Sequence, residues 1–115
     1  MATQTLGYQA RFETIRSFDS STFSGSYQAF GTPLANPSVL LYIYNGSGVL
    51  VTLSDDGTND KFVIAATTGL IIDLGSDAQG ISGDKRLSIP QNTQFYIKGS
   101  ASTGLVYLST VYQGG

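Results

Sequence analysis

The sequence contains no cysteine, no histidine and no tryptophan, and its single glutamate is Glu13. Without cysteine there can be no disulfide and no thiolate nucleophile, and without histidine no imidazole base; together the two absences remove the usual zinc ligands. Absence of cysteine fits an extracellular or an intracellular setting equally. Charge is also scarce: six basic and eight acidic side chains make up 12% of the chain, about half the usual fraction near 25%. Serine, threonine, asparagine, glutamine and glycine must therefore build most of the surface; either part of that surface lies against other subunits, or short polar side chains simply cover a small antiparallel sandwich.

The six basic residues, Arg11, Arg16, Lys61, Lys85, Arg86 and Lys98, are scattered. No stripe or cluster forms the footprint of a nucleic-acid binder, so no direct nucleic-acid contact is expected. No stretch approaches the roughly 18 apolar residues of a membrane helix, and no membrane partner is expected. The opening MATQTLGYQARF lacks the apolar core of a signal peptide, so export by that route is not expected.

The best-patterned stretch is Val39 to Ile64. Leu41 and Ile43 fall on one side of an extended strand and Leu40, Tyr42 and Tyr44 on the other, because successive strand side chains point to opposite faces. Asn45-Gly46-Ser47-Gly48 has the composition of a reversal, after which Val49, Val51 and Leu53 alternate with Leu50, Thr52 and Ser54. A second polar turn, Asp55 to Asp60, leads to Lys61–Ile64. The stretch reads as a three-stranded antiparallel meander.

Elsewhere, Phe12, Ile15 and Phe18 are spaced for one or two helical turns in an N-terminal arm, residues 1–24. That arm is expected to pack along its own domain or to reach a neighbouring subunit, with a mobile tail as the third alternative. Tyr27–Phe30 reads as a strand and 31–38 as a loop, since its two prolines lack the donor a ladder needs. Leu70–Leu74 is apolar on both faces apart from Asp73, which suggests a central or covered strand. Residues 75–85 form the longest expected loop, with Ile81 as its one large apolar anchor. Arg86–Ile89 and Gln94–Gly99 are expected to pair as a hairpin, and Leu105–Tyr112 to form a final long strand. About eight short strands with frequent turns give an all-β fold: a single antiparallel β-sandwich, jelly-roll-like, over residues 25–115, with a small barrel as the alternative.

Chemistry is thin. Asp55, Asp56, Asn59 and Asp60 could offer oxygen ligands to calcium, but EF-hand spacing and its closing glutamate are missing, and an Asp-Gly turn needs no metal. Paired carboxylates for glycoside cleavage are equally unsupported, with one glutamate and aspartates mostly in turns. No hydroxyl has an evident activating base. The expectation is a non-enzymatic protein with no cofactor and no metal. The tyrosines could stack on sugars or fill protein interfaces, or simply pack across strands. Residues expected at protein contacts are Phe12, Phe18, Phe23, Tyr42, Tyr44, Ile81, Tyr96 and Tyr112.

Three segments, 16–37 (RSFDSSTFSGSYQAFGTPLANP), 40–64 and 94–114, carry a resemblance to small structural proteins of tailed bacteriophage virions. Its most specific parts are LSDDGTNDKFVI, 53–64, and FYIKGSASTGLVYLST, 95–110. The resemblance implies a virion protein assembled in the host cytoplasm and carried out in the particle. Foremost among the roles it implies is capsid decoration or cement, with the major capsid protein or other virion proteins as partners and a homo-oligomeric state. A neck, head–tail adaptor or tail protein forming a ring is the alternative, and a carbohydrate-binding module of a receptor-binding device is the third.

Overall fold

Alternation along one strand decides where the core lies. In the computed structural model, which describes residues 9–74 and 87–114, Leu41, Ile43 and Asn45 point inward and Tyr42 points out. The expected alternation holds, and the aromatic side of this strand is the outer one.

Among the described residues the strands run in the order β1 (Gln9–Phe12), β2 (Arg16–Asp19), β3 (Gln28–Ala29), β4 (Leu40–Asn45), β5 (Val51–Ser54), β6 (Phe62–Ile64), β7 (Thr68–Asp73), β8 (Tyr96–Lys98) and β9 (Leu105–Gly114), with a 3₁₀ turn at Ser20–Thr22. They form two antiparallel sheets. A five-stranded sheet has the order β1-β9-β4-β7, with β2 also paired to β9, and a four-stranded sheet has the order β3-β8-β5-β6. The protein is an all-β sandwich, as its composition and alternation predict. Leu41, Ile43, Val106 and Leu108 of the first sheet meet Val51, Leu53, Ile64 and Ile97 of the second in a single core. Phe23, Phe30, Leu34 and Phe95 close its ends.

Four local expectations give way. The Val39–Ile64 meander does not form, because β4 and β5 belong to different sheets; only its β5–β6 hairpin is real. NGSG turns the chain from one sheet to the other around the side chain of Asn45, which is fully buried. Its amide nitrogen donates to the carbonyls of Val49, Ile64 and Ala65, and its Oδ1 accepts from the Ser47 amide and hydroxyl. One side chain thus ties the corner to the end of β6, a contact that short-range turn chemistry does not reveal.

Secondly, the region from Phe12 to Phe18 is extended rather than helical. β1 and β2 both lie along β9, so residues 9–12 and 16–19 are built into the first sheet of their own chain. Phe18 stacks on Phe23 at 5.1 Å between ring centroids and meets Phe30 edge-on at 6.2 Å. Thirdly, Ile89 makes an isolated bridge to Ser38, and β8 pairs with β3 and β5, so the expected hairpin across Pro90–Thr93 is absent among the described residues. Fourthly, β7, expected to be central or to have a covered outer face, sits at the end of its sheet among the described residues. Its apolar content does not record burial on both faces: Leu70 and Ile72 pack against the core, while Ile71 on the outer side is 61% exposed.

Candidate functional site

The two sheets treat their outer faces differently. On the four-stranded sheet, Thr52 and Ser54 point away from the core yet are buried, and the 55–60 loop folds back over the end of β5. Ser54 Oγ donates to Asp56 Oδ1 and accepts from the amides of Asp56 and Gly57. Asp56 in turn accepts from the amides of Asn59 and Thr58 and from Asn59 Nδ2. These donors, the Asn59 amide foremost, hold the Asp56 carboxyl far below its ordinary range. Gly57, at φ +77°, lies against the Tyr96 ring, where a Cβ would come within 3.4 Å.

The far end of this loop is also anchored. Asp60 accepts from the Tyr27 hydroxyl at 2.5 Å and pairs with Lys98 at 3.1 Å, and the Lys98 ammonium sits 4.7 Å from the centre of the Tyr27 ring. Desolvation and the bond to Asp60 push the Tyr27 phenol up to about 12. Tyr27 and Lys98 together lower the Asp60 carboxyl. Lys61 bonds Asp55 at 2.7 Å, and this contact raises its pKa. The carboxylates that suggest calcium are turned to protein donors, Asp55 and Asp56 sharing the Lys61 ammonium and Asp60 meeting Tyr27 and Lys98. Among the described residues no group of three acidic side chains is placed to hold a metal ion.

The outer face of the five-stranded sheet carries no such cover among the described residues. The strand register brings Phe12, Val111, Leu40 and Asp73 into one row across the sheet, Ser109, Tyr42 and Ile71 into the next, and Tyr107, Tyr44 and Gly69 into a third. Phe12 is 73% exposed, Ile71 61%, and Tyr42 and Tyr107 36% each. The phenol of Tyr42 leans over Gly69, where an added Cβ would fall 2.9 Å from its hydroxyl. Of the described strand residues that point out from this sheet, only Asp19 and Asp73 carry charge. Exposed apolar and aromatic patches of this kind commonly mark interaction surfaces in proteins.

The residues expected at contacts divide accordingly. Phe12, Tyr42 and Tyr44 lie on the bare face; Phe23 is in the core with Phe18 packed against it; Tyr96 lies beneath the folded loop; Tyr112 is half-buried near the end of β9. Ile81 lies outside the described residues. Tyr107, Ile71 and Leu105 complete the face. Sequence reading does not single them out, although the period-two alternation of β7 and β9 places them there.

At one end of the face, a depression of about 550 Å³ runs between the β1–β2 connection and the 31–35 loop, with Phe12, Ile15 and Pro33 among its lining. Its floor is an ion pair. Arg16 meets Glu13 at 2.9 Å with both side chains less than a tenth exposed, and Arg16 also donates to the carbonyls of Thr32 and Pro33. Burial pushes the Glu13 carboxyl up, but bonds from Arg16, Asn36 and the Ala35 amide outweigh it and leave the group below its ordinary value. The pair clamps the proline-containing loop to the N-terminal strands. No family model matches the chain, and a search of curated proteins found no significant match.

Proposed function

We propose that the protein is a non-enzymatic virion component that attaches through the outer face of its five-stranded sheet, as a capsid decoration or cement protein bridging major capsid protein subunits. The observation that carries this reading is the bare apolar face centred on Tyr42, Tyr107, Ile71 and Phe12. A second observation supports it. From β3 to β9 every connection except β5–β6 crosses between the two sheets, which favours the jelly-roll wrapping expected from sequence, an architecture common in capsid domains.

A cement protein works by covering joints between shell subunits, and specific attachment calls for a total buried area above about 1,000 Å². A broad flat sheet face suits that task, while on the opposite face the 55–60 loop covers Ser54 and Tyr96 and leaves Val63 exposed. The test is a map of the intact particle together with a binding assay. Density for the chain at joints of the shell is expected, and attachment should be lost on Phe12→Asp or Tyr107→Asp with the fold intact. Density confined to portal, neck or tail overturns the decoration role.

The tyrosines of the same face favour one other reading, glycan binding in a receptor-binding device, because aromatic rings on an exposed sheet can stack on sugars. Glycan binding abolished by Tyr42→Ala or Tyr44→Ala would support it over cement. An array of host-surface glycans with no response would remove it.

A further inference from the structure

From the edge of β7 that pairs with no strand among the described residues we infer that two copies of this chain pair edge to edge through residues 68–73, joining their five-stranded sheets into one continuous sheet about a two-fold axis at Ile71. This goes beyond the attachment role and holds whatever the face itself contacts.

The first ground is a contrast among edges. Exposed strand edges invite pairing, and proteins blunt them by shortness, lysine or proline. The other edge strands follow that rule: β3 spans two residues, β6 spans three and follows Lys61, and β1 and β2 span four each and carry Arg11 and Arg16. β7 spans six residues, TGLIID, with no lysine, arginine or proline. Among the described residues nothing pairs with its second edge. Its composition is that of a strand flanked on both sides.

The second ground is hydrogen-bond direction. Leu74 donates its amide to Val39, the residue before β4, at 2.8 Å, and in an antiparallel ladder bonding alternates residue by residue. Ile72 and Leu70 therefore turn their backbone groups towards β4, and Ile71 and Gly69 turn theirs to the open edge. An antiparallel copy centred on Ile71 exchanges both bonds between the two Ile71 residues, with Cα atoms about 5.5 Å apart.

The third ground is self-complementarity, which a two-fold contact requires. In this register Leu70 faces Ile72 of the second copy on the core side, and the two Ile71 side chains meet on the outer side, where each is otherwise 61% exposed. Asp73 falls opposite Gly69, not opposite Asp73, so the two carboxylates stand roughly 13 Å apart at about 3.4 Å per residue. The Tyr42 hydroxyl, already poised over Gly69 in each copy, comes beside that carboxylate. The two outer faces then form one surface, doubling the area offered to a partner.

Light scattering after size exclusion should give twice the 12.2 kDa chain mass. Ile71→Pro removes only the outward amide and Ile71→Lys adds a gatekeeping charge; each should halve the mass while circular dichroism stays that of a sandwich. Because the chain has no cysteine, a lone Ile71→Cys reports the axis directly, and the expected Cα spacing lies within disulfide reach. Oxidation should link Ile71→Cys rapidly and Val63→Cys, exposed on the other sheet, slowly. A monomeric parent chain at the highest soluble concentration overturns the inference, as does equal crosslinking at both positions. A dimer that survives Ile71→Pro with its fold intact also overturns it. Should the lysine or proline variants fail to fold, the crosslinking rates decide.

Discussion

The two outer faces of this sandwich show two solutions to the same problem. A sheet in a small domain buries one side and must do something with the other. On the four-stranded sheet the chain covers its own work: the 55–60 loop lies over Ser54 and Tyr96, and Asp60 reaches Tyr27 and Lys98. On the five-stranded sheet the outer side is apolar and bare among the described residues. Since charge is so scarce in the chain, placing Asp55, Asp56, Asp60, Lys61 and Lys98 on one face leaves little for the other. The difference separates a face covered by its own chain from one that no described residue covers.

Substitutions should therefore divide by face. The largest loss is expected at the joints shared by both sheets. Asn45→Ala would take its side-chain donor from the buried Ile64 carbonyl and from the part-buried carbonyls of Ala65 and of Val49, which keeps the Ser47 hydroxyl; an unsatisfied buried group costs about 1–3 kcal/mol, so a loss of about 3 kcal/mol in urea unfolding is expected. Glu13→Ala leaves Arg16 buried without its carboxylate; one-sided removal from a buried pair costs about 3–5 kcal/mol, and some access to water at this site puts the expected loss nearer the lower bound. Equal stability of either variant and the parent chain would show that the sheets are held by core packing alone.

Ser54→Ala tests the covered face. It removes one donor and an acceptor for two loop amides, and a loss of about 1–2 kcal/mol follows. Acid should find the same loop. The Asp56 carboxyl is depressed in the folded chain, so its contribution is present above the unfolded value near 3.8 and is lost as pH falls through the folded one. Unfolding should thus become easier below about pH 4, and Asp56→Asn should flatten that dependence. Alkali acts on the other anchor. Tyr27 is raised from 10.0 to about 12, so its contribution is complete below 10 and disappears as pH rises towards 12. The phenolate absorbance titration should lose its latest component in Tyr27→Phe.

The smallest effects on stability belong to the bare face. Phe12→Ser should change unfolding by no more than about 0.5 kcal/mol, and Tyr107→Ser, on a central strand opposite Tyr44, by about 1 kcal/mol, while both abolish the proposed attachment. A large loss of stability in Phe12→Ser, whose side chain is 73% exposed, would mean that the face is covered within its own chain and would erase the contrast between the sheets.

Much of this arrangement is legible in the residues and some of it is not, for definite reasons. Alternation in Leu40–Tyr44 and Leu105–Tyr112 locates two central strands and divides their side chains correctly, because period two is a property of the backbone itself. It does not say which side is inward, and burial of Leu41 and Ile43 answers that. NGSG reads as a hairpin because the same small residues serve a hairpin and a corner between sheets; the choice is made by Asn45 reaching carbonyls 19 and 20 residues ahead. The DDGTND loop is a turn, as its composition says, but its fold back onto Tyr96 depends on a strand some forty positions away. The buried Glu13–Arg16 pair leaves a faint signal, the single glutamate three residues before an arginine, in an arm whose phenylalanines suggest a helix.

The position of β9 has a consequence in time as well as space. Of all the described pairings only β5–β6 joins strands adjacent in the sequence, while β9 accepts β1, β2 and β4 along its length and pairs Gln9 with Gly114. Contacts so remote in sequence make for slow folding. A nascent chain can close the 51–64 hairpin early, but the larger sheet has no middle until β9 has left the ribosome. The apolar face therefore comes into being only after residue 114 has emerged, and no shorter nascent chain can present it.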